Sequence, residues 1–168
     1  MGDIRLPRNG KEGLIYGSII CIITVIVSLL LNIGTAFGRI DKEVLIIIIK
    51  MIPLLFVIAM ALESFVIGKV ASKLVTKFTE PTDGFNTRIL FNILFCVTGM
   101  SICMTIIGGM IGQGHLSLEP FKTFFSHWPR NFCVVLWCEI LLAQPTARFV
   151  MKKLHQHQMK KRRIVEKL

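Results

Sequence analysis

The stretch LIYGSIICIITVIVSLLLNIG, residues 14–34, carries no charged side chain. It is longer than the roughly 20 residues an α-helix needs to cross a hydrocarbon layer of about 30 Å. Three further apolar runs of similar length follow, at residues 44–68, 89–111 and 128–150. The run at 89–111 is also uncharged, whereas 44–68 holds Lys50 and Glu63, and 128–150 holds Arg130, Glu139 and Arg148. Magnitudes decide the second run: roughly sixteen Leu, Ile, Val and Phe at about −0.3 to −0.6 kcal/mol each outweigh two ionisable residues at up to about 3 kcal/mol apiece. Lipid offers no water to unpaired backbone groups, so each span must satisfy its own hydrogen bonds. The expected fold class is therefore an all-α membrane protein with four transmembrane helices.

The whole composition agrees. Over 168 residues, 53% are hydrophobic and only 18% charged, with a mean hydropathy of +0.66. A soluble domain carries about a quarter charged residues, and a chain this short has no interior large enough for such an apolar excess. Disordered and collagen-like classes are excluded by the apolar content. The five cysteines, Cys21, Cys96, Cys103, Cys133 and Cys138, are odd in number, fall within the runs and form no Cys-x-x-Cys motif. They read as small buried thiols rather than a disulfide framework.

Orientation follows from Lys and Arg between the runs. Arg5, Arg8 and Lys11 precede the first; Lys69, Lys73, Lys77 and Arg88 connect the second and third; eight follow from Arg148 onward. The other connections hold only Arg39 and Lys42, and Lys122. By the positive-inside rule both termini are expected on the cytoplasmic side. Ala36-Phe37-Gly38 has the small-residue spacing of a signal-peptidase site, but the apolar core before it exceeds the usual 7 to 15 residues of a secretory leader. The opening Met-Gly has Leu6 where a myristoylation site needs Ser or Thr.

An internal repeat lies at an offset of 76. It aligns Gly38 with Gly114, Glu43 with Glu119, Pro53 with Pro129, Phe56 with Phe132, Glu63 with Glu139, Ala71 with Ala147 and Lys77 with Lys153. Paired prolines and membrane glutamates are too rare for apolar composition to produce them. The expected organisation is two helical hairpins of the same orientation, residues 1–78 and 79–151, related by a pseudo-twofold axis along the membrane normal, followed by a basic cytoplasmic tail, 152–168. The first span then corresponds to the third, which identifies it as an anchor.

Within the second copy, Trp128-Pro129-Arg130-Asn131-Phe132, Glu139 and Ala143-Gln144-Pro145-Thr146-Ala147-Arg148 resemble a domain-of-unknown-function family of small bacterial integral membrane proteins built from two-helix units, often in tandem. The resemblance implies a bacterial inner-membrane location and no established activity. The first copy departs from this pattern, with Ile52 for the Trp, Leu55 for the Asn and Gly68-Lys69 for the Gln-Pro.

Candidate polar-site residues are Glu63, Glu139, Lys50, Asn32 and Gln144. Each glutamate lies ten residues beyond its proline, which puts both at similar depth. Ionisable groups in spans are costly and normally face the bundle interior. Two carboxylates brought together there repel, which raises the pair's affinity for a proton or cation. The bland alternative is that each is protonated or hydrogen-bonded across an interface and serves packing. Thr24, Ser28 and Asn32 line one stripe of the first helix, and Ser101, Thr105, Gly108 and Gly112 nearly the same on the third. Such stripes favour close helix packing. A solute seam with Asn32 and Lys50 near its outer end is the alternative, although Lys50 is expected to snorkel outward.

Pro145 removes a helix donor and frees the Leu141 carbonyl, which Gln144 would serve, giving a kink. Pro53 and Pro129 are expected at helix starts. Tyr16, Trp128 and the Phe121, Phe124, Phe125 cluster suit interfacial belts, and residues 118–127 a short amphipathic surface segment with Ser117 as cap. His115, His127 and Glu119 make only a weak metal set, and His155 and His157 are expected solvated in the tail. No cofactor motif is present, and no Gly-rich phosphate loop, Ser/His/Asp set or metalloprotease helix, so an enzyme is not expected. Lys160-Lys161-Arg162-Arg163 suits anionic lipid headgroups rather than nucleic acid. The sequence thus favours a structural or accessory inner-membrane component that associates with itself or another membrane protein. The alternative is a small proton-coupled transporter or ion pathway using Glu63 and Glu139.

Overall fold

The structure, a computed structural model, describes residues 5–38, 41–80, 82–113 and 118–165. Four helices are long and apolar enough to cross a membrane. The first, α1, spans Gly10–Phe37; the Asn9 side chain caps it by accepting the Glu12 N–H at 2.9 Å, and Gly38 ends it with φ of 64°. That left-handed C-cap is a conformation in which glycine pays no Cβ penalty. The second long helix runs 37 residues, Lys42–Phe78, as α2 (Lys42–Leu62), one π-helical turn (Glu63–Ile67) and α3 (Gly68–Phe78). Asp41 caps it by accepting the Val44 N–H. The third is α4, Phe85–Gln113. After the single-turn α5, Glu119–Lys122, the fourth comprises α6 (Phe124–Cys138), a second π-helical turn (Glu139–Ala143) and α7 (Gln144–Val165).

Short connections make successive long helices antiparallel neighbours. The first packs along the second and along the fourth; the third packs along the second and the fourth. The order around the bundle is therefore first, second, third, fourth, with the two glutamate-bearing helices on a diagonal. The main apolar cluster joins Cys21, Val25 and Leu29 of α1 to Val44, Ile48, Leu55 and Ala59 of α2. Ile49, Val57, Phe65, Trp137 and Leu141 point outward and are exposed, as suits faces that meet lipid, a medium as apolar as they are.

Three local expectations change. Pro53 and Pro129 are interior to α2 and α6, which begin at Lys42 and Phe124; for Pro129 the cause is that the helix starts four residues before the apolar run, whereas Pro53 already lies well inside its run. Proline inside a membrane helix is tolerated where neighbours re-satisfy the freed carbonyl. Residues 118–127 are not one amphipathic segment: α5 is a single turn whose Pro120 is buried against α4, and Phe124 opens the fourth span. Ser117 lies outside the described residues. The basic tail begins as a direct continuation of α7, whose Met151 and His155 are buried at 0% and 1% exposure.

Candidate functional site

Both π-helical turns begin at a membrane glutamate. In the first, the Gly68 N–H donates to the Glu63 carbonyl; in the second, the Gln144 N–H donates to the Glu139 carbonyl. A stripe that repeats every four residues drifts about 40° per step on a straight α-helix, and a wider turn takes part of that drift back. The fourth helix needs this, since its buried stripe Glu139, Ala143, Ala147, Met151, His155 keeps a spacing of four throughout. Pro145 supports the wider turn by supplying no N–H just beyond it.

Glu63 and Glu139, on diagonal helices, are within electrostatic range of each other, and Cys96 of α4 is within range of both. Their surroundings differ. Glu139 is 9% exposed and its Oε1 accepts from Gln144 Nε2 at 3.4 Å, while the Tyr16 hydroxyl donates to Gln144 Oε1. Arg148 in turn reaches the Tyr16 hydroxyl. A polar chain thus leads from Arg148 through Tyr16 and Gln144 to Glu139. Gln144 is therefore committed to side chains rather than to the Leu141 carbonyl. Tyr16, expected in an interfacial belt, points its hydroxyl inward.

Glu63 is half-buried and opens on a cleft of about 390 Å³ lined by Gly10, Gly13 and Gly17 of α1 and by Ser64, Gly68 and Ser72. A Cβ on any of the three α1 glycines would meet nothing within 4 Å, so the absence of side chains there is what leaves the cleft open. A second cleft, about 690 Å³, lies between α4 and the carboxyl-terminal half of the fourth helix. Adding 76 to Gly10, Gly13, Gly17, Ser64, Gly68 and Ser72 gives Asn86, Ile89, Ile93, Ile140, Gln144 and Arg148, all of which line it. The two clefts occupy corresponding places with different linings: the first has small groups, Leu14, Met60, the Glu63 carboxylate and one cation, Lys69, the second three cations and branched aliphatics.

In the half of the bundle away from the amino-terminal end of α1, α6 makes polar ties to α1 and α4. Trp128 Nε1 donates to Ser101 Oγ at 3.0 Å, Asn131 Nδ2 to Thr105 Oγ1 at 3.2 Å, and the Arg130 guanidinium to Asn32 Oδ1 at 3.2 Å and Thr35 Oγ1 at 3.3 Å. The hydroxyl stripe on α4 thus serves helix packing. Of the five candidate residues, the fold joins Glu139 to Gln144 by a hydrogen bond and leaves Glu63 within electrostatic range of Glu139. Asn32 belongs to the tie with Arg130, and Lys50 is exposed on α2. A lipid-facing position is where a snorkelling lysine belongs.

One tie was not legible in the sequence. His155 is buried, and its Nε2 lies 3.0 Å from Glu12 Oε2, joining α7 to the start of α1. The expectation that it is solvated is wrong: the four-residue stripe continues into the basic tail and carries His155 inward, whereas His157 is exposed. The same Glu12 oxygen accepts the Arg8 N–H at 2.8 Å. Asn9 and Glu12 have the spacing of a capping box, which was the available signal. His115 lies outside the described residues, and among those described no group of His, Cys, Asp or Glu could hold a metal ion. The five cysteines are free thiols.

Residues 85–155 match DUF2798, a domain of unknown function, which agrees with the resemblance carried by residues 128–148. The match covers α4 through most of α7, the second hairpin. The chain is also 26% identical over 155 residues to the uncharacterized protein YybC of Bacillus subtilis (strain 168), covering 88% of this chain and 94% of that protein. No solved structure matches it.

Proposed function

We propose that this chain is a small multi-pass protein of the bacterial inner (cytoplasmic) membrane, with both termini cytoplasmic, whose Glu63–Glu139 pair takes up a proton or small cation in coupled transport. The observation that carries this is the placement of Glu63, which lines a glycine-walled cleft and lies within electrostatic range of the more deeply buried Glu139. Charge repulsion between carboxylates in a poorly solvated site favours a bound proton or cation over two bare charges. Glu63 is the exchanging group because its cleft reaches it; Glu139 is the fixed neighbour, oriented by Gln144. The cleft begins at Gly10, beside the basic amino-terminal segment, so the positive-inside rule puts its mouth in the cytoplasm. The apolar α1–α2 cluster and the Trp128, Asn131 and Arg130 ties seal the opposite half, as an inward-open carrier requires.

Duplication supports the arrangement. The offset that pairs the glutamates also pairs the two π-helical turns and the two clefts, which suits two hairpins, 1–78 and 79–151, about a pseudo-twofold along the membrane normal. An accessory role through self-association is favoured by a different observation: a Cβ at Gly108 meets nothing within 4 Å, leaving a bare patch on α4.

Reconstituted protein, with a pH indicator inside the liposomes and an imposed membrane potential, tests the transport role. Proton uptake above protein-free liposomes is expected, with loss in Glu63→Gln and in Glu139→Gln while both variants stay monodisperse. Uptake equal to empty liposomes, or unchanged in both variants, refutes it and leaves the accessory role.

A further inference from the structure

We infer that the second cleft holds one anionic phospholipid, its phosphate between Arg5, Arg148 and Lys152 and an acyl chain along Ile89, Ile93 and Ile140. All six residues line the cleft, and among the described residues no acidic side chain does. Arg148 and Lys152, one turn apart on α7, bring two positive charges to the cleft, and an anion held between them is attracted to both. Arg148 also carries a buried Nε with no hydrogen-bond partner among the described residues. A guanidinium presents paired donors to phosphate oxygens, which a lysine cannot do.

The remaining lining identifies the ligand as a lipid rather than a free anion. Beyond the cations the wall is isoleucine, and the rim residues Leu90 and Phe149 are each 56% exposed, in the zone where the bundle meets hydrocarbon. A soluble phosphate makes no use of such a wall; an acyl chain does. Basic pockets between spans suit anionic headgroups of the inner leaflet. The corresponding cleft of the first hairpin has Ser72 in place of Arg148, and Gly13 and Gly17 in place of Ile89 and Ile93. Its one cation, Lys69, shares the cleft with the Glu63 carboxylate, and it has no isoleucine wall, so one lipid per chain is expected, not two.

Native mass spectrometry of the full chain, released from micelles supplied with phosphatidylglycerol or phosphatidylcholine, tests this. One phosphatidylglycerol should remain bound, with a preference over phosphatidylcholine of about a hundredfold for three nearby charges. Arg148→Gln should abolish retention. Arg148 also touches Tyr16, so Arg5→Gln and Lys152→Gln, at exposed positions, provide the independent check, each weakening retention several-fold. A variant with Lys160, Lys161, Arg162 and Arg163 all changed to Gln should retain the lipid, and inorganic phosphate should not displace it. Equal retention of both lipids, loss only in the tail variant, displacement by phosphate, or indifference to both Arg5→Gln and Lys152→Gln would overturn the assignment.

Discussion

Gln144 is the side chain on which the polar centre turns, and its replacement by leucine can be worked through quantitatively. Leucine matches the volume of glutamine but neither donates nor accepts, so two groups lose a partner: the Tyr16 hydroxyl and the Glu139 carboxyl, which is 9% exposed. A buried polar group left unmet costs about 1–3 kcal/mol, which puts Gln144→Leu at about 2–6 kcal/mol. Tyr16→Phe deletes only one bond; interhelical hydrogen bonds within membranes average about 0.6 kcal/mol and reach about 1.7. In the double variant the tyrosine no longer needs an acceptor, so the two changes should cost less together than separately by about 0.6–1.7 kcal/mol. Unfolding of the protein in mixed micelles by titration with dodecyl sulfate, followed by helical ellipticity, measures all three values. Additivity within about 0.3 kcal/mol would show that Tyr16 and Gln144 do not meet, and the chain from Arg148 to Glu139 would be wrong.

Two other substitutions test the packing around that centre. His155→Ala should destabilise by about 2–4 kcal/mol through loss of a fully buried ring, whereas His157→Ala, two residues away and exposed, should stay within about 0.5 kcal/mol, as the same titration would show. Gly99→Leu should cost about 1–3 kcal/mol because a Cβ there comes within 3.1 Å of Ile67, while Gly108→Leu should leave the stability of the chain unchanged. A change of molecular mass by light scattering in Gly108→Leu alone would assign that patch to contact between chains.

The spans could be read from residue order because the bilayer imposes a local rule. Every peptide group in hydrocarbon must be bonded within its own helix, so a long apolar run such as 14–34 or 89–111 has one fate whatever its neighbours do. The glutamates were conspicuous for a related reason: ionised groups are expensive at that depth, so a carboxylate at 63 and another at 139 cannot be incidental. Rotation about each helix axis obeys no such local rule, because lipid tails and leucine side chains are equally apolar and do not say which face turns inward. Packing between helices sets it. Hence the partner of Gln144 proved to be Tyr16, from the far end of the chain, Asn32 went to Arg130, and Lys50 turned away. The second π-helical turn and the inward path of His155 belong to the same class, since they arise from a four-residue stripe held against α1, a constraint that exists only once the helices are assembled.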